Sequence, residues 1–275
     1  MAFTLDTKHS AVVTKNLFLN SVLQPGVTYS TRWQGDAANG VVKITKLTKG
    51  TVLTDGSGIS STFDLEVGGL NNIKLDLVLG TPLSLSTPIF DVQVNSVSVS
   101  LVEEVMEMDV ATISEAWQKA GMDVLVDGAT KLKQAKPTTA DTFEAAFLAA
   151  RKALVTKGAK ADVMICSVDM YNLMLSDKTK FIPETNEMRM KTGIVGFYNG
   201  IKVFEYQSLK QVNASDVDFV LYDKDAFAVA TNISSARVVE GAPNIIGVFA
   251  QTGINSGFLV TNAERVVASG ADIIS

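Results

Sequence analysis

The segment from 161 to 204, ADVMICSVDMYNLMLSDKTKFIPETNEMRMKTGIVGFYNGIKVF, constrains the fold more than any other stretch. The short apolar run Val163-Met164-Ile165-Cys166 reads as a buried strand. Ser167 stops it, and Val168-Asp169-Met170-Tyr171-Asn172-Leu173 starts a helix. Asp169 suits that position, because a carboxylate near a helix N-terminus faces the positive end of the helix dipole. A polar loop follows over 176–191. Gly193-Ile194-Val195-Gly196 and Asn199-Gly200-Ile201-Lys202-Val203-Phe204 then close a second strand.

Upstream, the chemistry changes in blocks. Residues 1–35 scatter Val12, Val13, Leu17, Phe18, Leu19, Val22 and Leu23 among polar residues before Pro25-Gly26 and Trp33. They read as a weak helix and an extended arm, a poor core alone. Strand-like alternation follows at 41–47, 62–67, 73–79 and 92–99, with turns at Asp55-Gly56-Ser57-Gly58 and Gly68-Gly69. Most of these strands carry one apolar and one polar face. A projecting β-hairpin lying across a neighbouring molecule has that pattern, and so has an ordinary sheet packed on one face.

From Val102 to about Leu132 the spacing predicts a long helix. Val102, Val105, Met106, Val110, Ile113, Trp117, Ala120 and Val124 form its apolar stripe. Glu103, Glu104, Glu107, Asp109, Glu115 and Asp123 form a solvated acidic face, and Gly121 and Gly128 predict a kink or an end. A basic cluster (Lys131, Lys133, Lys136) and the breaker Pro137 come next. Asp141 with Glu144 reads as an N-cap with a reaching carboxylate, opening an Ala-rich helix to about Val155 that Lys157-Gly158-Ala159-Lys160 ends. Short strands at 217–222, 226–230, 237–240, 244–251, 258–260 and 264–268 complete the chain.

The composition excludes several function classes. A hydrophobic fraction of 47% with 19% charged residues is that of a folded chain. A net charge of −5 argues against a dedicated nucleic-acid binder, whose affinity rests on clustered Lys and Arg. It leaves open a shell whose inner wall faces DNA without gripping it. No run approaches the roughly eighteen apolar residues a membrane-spanning helix needs, and the N-terminus lacks a secretory pattern. The single Cys166 forms no internal disulfide, as in a reducing cytoplasm.

Catalytic chemistry is thinly supplied. His9 is the only histidine, in a segment without a rigid scaffold, so a Ser-His-Asp or Cys-His site finds no support. One His and one Cys exclude a Cys/His zinc cluster. Cys166 precedes a helix N-terminus, but its apolar run favours a core residue. No phosphate-binding glycine motif opens a helix, and Gly56-Ser57-Gly58 precedes a strand. The acidic helix face is read as solvated rather than cation-binding. No catalytic, cofactor-binding or metal residue is assigned, and no cofactor is expected.

The order of elements resembles the major capsid proteins of tailed bacteriophages, the fold named after phage Hong Kong 97 (HK-97). The resemblance is sharpest over 139–207: a strand, a short Ser-x-Asp helix, and a glycine-punctuated hydrophobic strand. It implies an α+β HK-97-like fold. Its parts would be an N-terminal arm (1–35), an extended β-hairpin or E-loop region (36–92) and a peripheral domain with a long spine helix (93–136). An axial domain with a central sheet flanked by helices (137–234), peripheral return strands (235–254) and an axial closing strand with the C-terminus (255–275) would follow.

The function implied is self-assembly into hexamers and pentamers of an icosahedral shell enclosing a double-stranded DNA genome, with no enzymatic activity. Implied partners are the chain itself, a separate scaffolding protein (no long charged leader precedes the arm), the portal protein, and packaged DNA without sequence-specific binding. The implied location is the virion, assembled in the host cytoplasm, with no membrane. No covalent crosslink is assigned to Lys43, Lys46 or Lys49. The alternatives are an encapsulin-like compartment shell, a small α/β enzyme with a site near Ser167 or Asp169, and a tail-tube subunit, which the long helix disfavours.

Overall fold

The computed structural model describes residues 21–31, 41–46, 73–78, 83–90, 101–207, 209–210, 216–240, 247–271 and 273. Its centre is a seven-stranded sheet in the order β4-β14-β11-β5-β8-β7-β6. The strands are β4 (Thr130–Lys133), β5 (Val163–Cys166), β6 (Phe181–Pro183), β7 (Ile194–Tyr198), β8 (Ile201–Glu205), β11 (Phe219–Tyr222) and β14 (Val266–Gly270). β14–β4 and β5–β8 pair in parallel and the other neighbours antiparallel. The predicted strand at 163–166 is found, buried at all four positions.

That burial has a simple origin: both faces of the sheet are covered. Val163, Ile165, Val220, Tyr222 and Phe204 point into one core with helix α1 (Leu101–Asp127). Met164, Cys166, Phe219, Leu221 and Val203 point into a second core with α2 (Ala140–Thr156) and α3 (Val168–Ser176). Two-sided burial erases polar alternation, so such strands read as continuous apolar runs. In the second core Tyr198 packs edge-on against Phe143 and Phe147, with ring centroids 5.3 and 5.0 Å apart.

A three-stranded antiparallel sheet, β12-β13-β3, lies against α1. It comprises β3 (Leu83–Phe90), β12 (Phe227–Glu240) and β13 (Gly247–Val260). A separate antiparallel pair joins β1 (Val41–Lys46) to β2 (Ile73–Val78), and a two-residue pair joins β9 (Leu209–Lys210) to β10 (Asp216–Val217).

Several sequence expectations change. β12 and β13 are each one 14-residue strand where the sequence suggested several short ones, and a bulge between Ile233 and Ser235 bends β12 midway. β3 was missed because Pro88 argues against a strand; it sits on an edge, where a missing N–H is tolerated. The stretch 193–204 is a hairpin rather than one strand. Asn199 (φ 47°) and Gly200 (φ 79°) supply the two left-handed residues that a tight hairpin turn requires. The loop 176–191 holds β6 and a short helix, α4 (Asn186–Thr192). The expected strands at 62–67 and 92–99 lie outside the described residues.

α2 begins two residues earlier than expected. Thr139 is its N-cap, and the Thr139 and Thr142 side chains satisfy each other's backbone N–H groups, so Asp141 and Glu144 are not needed there. Helix α1 ends at Asp127, just before Gly128, and runs through Gly121 without interruption. A Cβ on Gly121 would lie 2.7 Å from Leu23 Cδ1 and 2.8 Å from Phe258 Cε1. On Gly128 it would lie 2.7 Å from Val260 Cβ. Both glycines mark places where β13, and at Gly121 also the 21–31 segment, press on the helix backbone.

Residues 21–31, a poor core alone, pack against α1. Leu23 and Tyr29 are buried in the α1 core, and Ser30 N–H donates to Phe227 O at 2.8 Å. The Val22 N–H donates to Gln118 Oε1 of α1 at 3.1 Å.

The tightest glycine is Gly196 on β7. A Cβ there would overlap the Phe181 ring and approach Ile182 O, a backbone atom, at 2.6 Å. Gly196→Ala is therefore expected to destabilise the fold by about 2 kcal/mol, the cost of overpacking a filled core. Chemical denaturation of the purified variant measures this; an unchanged midpoint would contradict the packing described.

Candidate assembly surfaces

Among the described residues considered for catalysis, Cys166, Ser167 and Asp169 each have a structural role. Cys166 is fully buried; its thiol donates to Phe204 O at 3.5 Å, and burial, then the charge of Glu205, pushes its pKa up. A thiol held neutral is a core residue and a poor nucleophile. Ser167 ends β5 with its N–H on Asp218 O at 2.9 Å. Asp169 is exposed and pairs with Lys136 at 2.8 Å. Among the described residues no three His, Cys, Asp or Glu side chains gather as metal ligands, and no helix is long and apolar enough to cross a membrane. His9 and the Gly56-Ser57-Gly58 turn lie outside the described residues.

The basic cluster after α1 is divided among internal tasks. Lys131 donates to Val126 O at the C-terminal end of α1, where a cation meets the negative end of the helix dipole. Burial lowers its pKa, partly offset by Asp127. Lys136 is held by Asp169 at the start of α3. Lys133 alone of the three stays exposed without an assigned bond among the described residues. Lys131 and Lys136 thus serve helix ends of their own chain.

The acidic face of α1 is also not uniform. Glu104, Glu107 and Glu115 are exposed, and Asp123 pairs with Lys119 at 3.1 Å. Asp109 is buried against β3. Its Oδ1 accepts from the Thr87 hydroxyl at 2.8 Å, while its Oδ2 has no partner among the described residues. Burial raises the Asp109 pKa and the Thr87 hydrogen bond opposes the shift. β3 and the facing part of β13 bring only Leu85, Ile89, Val248, Ala250 and Thr252 near it, none of them titratable.

The segment 177–192 is fastened at its base. Lys180 donates to Glu144 of α2 and lies 3.6 Å from Asp177 Oδ2. The hydrogen bond that Lys180 donates to Glu144 raises the lysine pKa, and the Thr179 hydroxyl, 2.7 Å from Asp177 Oδ1, helps lower that of Asp177. Tyr198, buried beneath the clasp, has its pKa pushed up to about 12 by burial first and then by Asp177 and Glu144. Beyond the clasp, β6 is the outermost strand of the sheet and presents Ile182 at 67% exposure. An apolar residue on an open sheet edge is a site for association.

The separate pair β1–β2 runs antiparallel in register from Val41 opposite Val78 to Lys46 opposite Ile73.

No protein-family model matches the chain, and no curated protein matches it. Solved structures do. A structure from Mycobacterium phage Che8 superimposes with a TM-score of 0.62 at 18% identity, covering 92% of this chain and 97% of that one. The virus-like particle from Pyrococcus furiosus superimposes with a TM-score of 0.59 at 10% identity, covering 96% and 98%. The mature capsid of bacteriophage PhiM1 superimposes with a TM-score of 0.53 at 13% identity, covering 90% of each chain. The chain has the HK-97-like capsid fold. The long helix α1 and the central sheet flanked by α2 and α3 are the kinds of element expected of this fold.

The buried Asp109 makes the attachment of α1 depend on pH. Its folded-state pKa is raised, so the folded protein binds the proton more tightly and the carboxylate's cost is present above that pKa and relieved as pH falls through it. Asp109→Asn removes the titration while keeping an acceptor for Thr87. The midpoint difference between wild type and variant is expected to move in favour of wild type as pH falls from neutral towards the ordinary carboxylate value of 3.8. A difference that is flat over this range would show that the carboxyl is not buried as described.

Proposed function

We propose that the chain is a major capsid (head) protein of a tailed bacteriophage. It self-assembles into hexamers and pentamers of an icosahedral shell around double-stranded DNA, and does no catalysis. The single observation that carries this reading is the likeness over nine-tenths or more of the chain to subunits of a phage capsid and a virus-like particle. The surfaces agree with it. A sheet edge bearing the exposed Ile182 is a stable feature once neighbouring copies cover it.

The parts then take these roles. Residues 1–35 are the arm, anchored through Leu23 and Gln118, and 36–92 the E-loop region. Residues 93–136 and 235–254 form the peripheral domain, and 137–234 and 255–275 the axial domain. The bulge between Ile233 and Ser235, opposite Ile254 and Gly253, supports a hinge where the chain crosses between the last two. The partners are the chain itself, a separate scaffolding protein, the portal protein, and DNA held without sequence specificity. The protein is assembled in the host cytoplasm and ends in the virion. An encapsulin-like compartment shell is the second reading, favoured by the likeness to the virus-like particle; packaged cargo protein instead of DNA would identify it.

Electron microscopy of the purified chain, with and without co-expressed scaffolding protein, is expected to show five- and six-membered rings or closed shells. A strictly monomeric protein with catalytic turnover would overturn the proposal.

In this arrangement the segment 176–191 approaches the symmetry axis of a ring. A charge reversal at the exposed Lys178 should therefore reduce ring formation while leaving the thermal midpoint nearly unchanged. Unfolded variants would count against that placement.

A further inference from the structure

Two exposed helix faces have complementary chemistry. On α2, Leu148 is 46% and Val155 is 55% exposed. Seven residues apart, they lie on one side of the helix, with exposed Lys152 between them, Arg151 on the flank, and the small residues Ala145 and Ala149 beside them. Neither Arg151 nor Lys152 has an ion pair among the described residues, whereas Lys157 at the end of the same helix pairs with Glu264 at 3.2 Å. A shallow cleft of about 580 Å³ adjoins this face, with Ala149, Lys152, Thr156 and Val267 in its walls.

On α1 the exposed side is the converse. Met108 is 70% exposed, the most exposed large apolar side chain among the described residues. Glu104, Glu107 and Glu115 surround it on the same helical face, and Ala111 between them leaves the backbone open to close approach. None of these three carboxylates has an ion pair among the described residues. They have no basic partner in Lys131 or Lys136, which are bonded within the chain.

We propose that the Leu148–Val155 face of α2 is the docking site for α1 of a second copy of this chain. Met108 packs on Leu148 and Val155 at the mouth of the cleft, and Glu104, Glu107 and Glu115 face Arg151 and Lys152. This rests on the shell reading and names one of its contacts. Charge complementarity and apolar side chains on both faces favour a second copy over DNA, which would match the two cations and leave Leu148 and Val155 uncovered. Each copy offers α1 to one neighbour and α2 to the other, a head-to-tail contact that closes into rings when the rotation allows. Like charges set against each other at such a contact are strongly unfavourable, so it also fixes the register.

The test uses two charge reversals in the full chain, Glu104→Lys with Glu107→Lys, and Arg151→Glu with Lys152→Glu. Each alone is expected to lower the yield of rings and shells by about tenfold or more, with an unchanged thermal midpoint. An equal mixture of the two should assemble again, because each variant's α1 then meets an oppositely charged α2. Alternation confines the mixture to rings with an even number of subunits, so six-membered rings appear and five-membered ones do not. A milder pair, Met108→Ser and Val155→Ser, should weaken assembly in the same direction should a reversal perturb folding.

Folded single reversals that assemble like wild type would overturn this contact and leave the shell reading intact. So would a mixture that fails to assemble. Normal shells of the α2 reversal that retain less DNA would overturn it in favour of a DNA-facing α2. Wild-type protein that forms no rings at all would remove both readings together.

Discussion

The packing around Gly121 of α1 organises the rest of the molecule, because three distant segments meet there. Leu23 from the N-terminal turn and Phe258 from β13 both reach the helix backbone through the space a side chain would fill. One turn earlier, Trp117 is fully buried with its ring 5.9 Å from that of Phe258, which in turn stacks on Phe227 at 6.5 Å. Each large apolar side chain buried in this way contributes about 1.5–3 kcal/mol. These contacts set how α1, the three-stranded sheet and the face of the seven-stranded sheet beneath them are arranged. The helix thus binds the two sheets into one unit and leaves its other side free.

Polar groups on the inner side of α1 then give this packing direction. Gln118 accepts from Val22 N–H and donates to Ser114 at 3.3 Å, and Asp109 accepts from Thr87. A buried polar group without a partner costs about 1–3 kcal/mol, so sliding or turning the helix is penalised beyond the loss of apolar contact. The price of this specificity is visible at Asp109, whose second oxygen has no partner among the described residues.

How much of this was legible in the sequence follows from the range of the interactions. The strand at 163–166 was legible because two-sided burial writes itself as an unbroken apolar run. The stripe of α1 was legible because Met106, Val110, Ile113 and Trp117 face a single surface. The N-terminal turn was not, since its burial depends on Gln118, 96 residues away. β3 was hidden by Pro88, harmless on an edge. The full length of β12 and β13 was hidden by Thr231, Asn232, Thr252 and Asn255, polar residues at their centres. Asp109 was counted with the exposed carboxylates because helical periodicity does not say how wide a strip the partner sheet covers. Cys166 was legible as a core residue because it closes an unbroken apolar run, and it is fully buried.

What the interior does not consume is as informative as what it does. The cations that follow α1 are spent inside the chain, Lys131 on a helix end and Lys136 on Asp169. The chain has nonetheless a net charge of −5 and keeps Glu104, Glu107 and Glu115 clear of every internal partner among the described residues. Exposed carboxylates alone would mark only a soluble face. Set around an exposed Met108, and matched by exposed Leu148 and Val155 beside free cations on another helix of the same chain, they describe two halves of one contact. A fold whose two main cores are filled, yet whose sheet edge and helix faces keep uncovered apolar residues, gains further burial in the company of its copies.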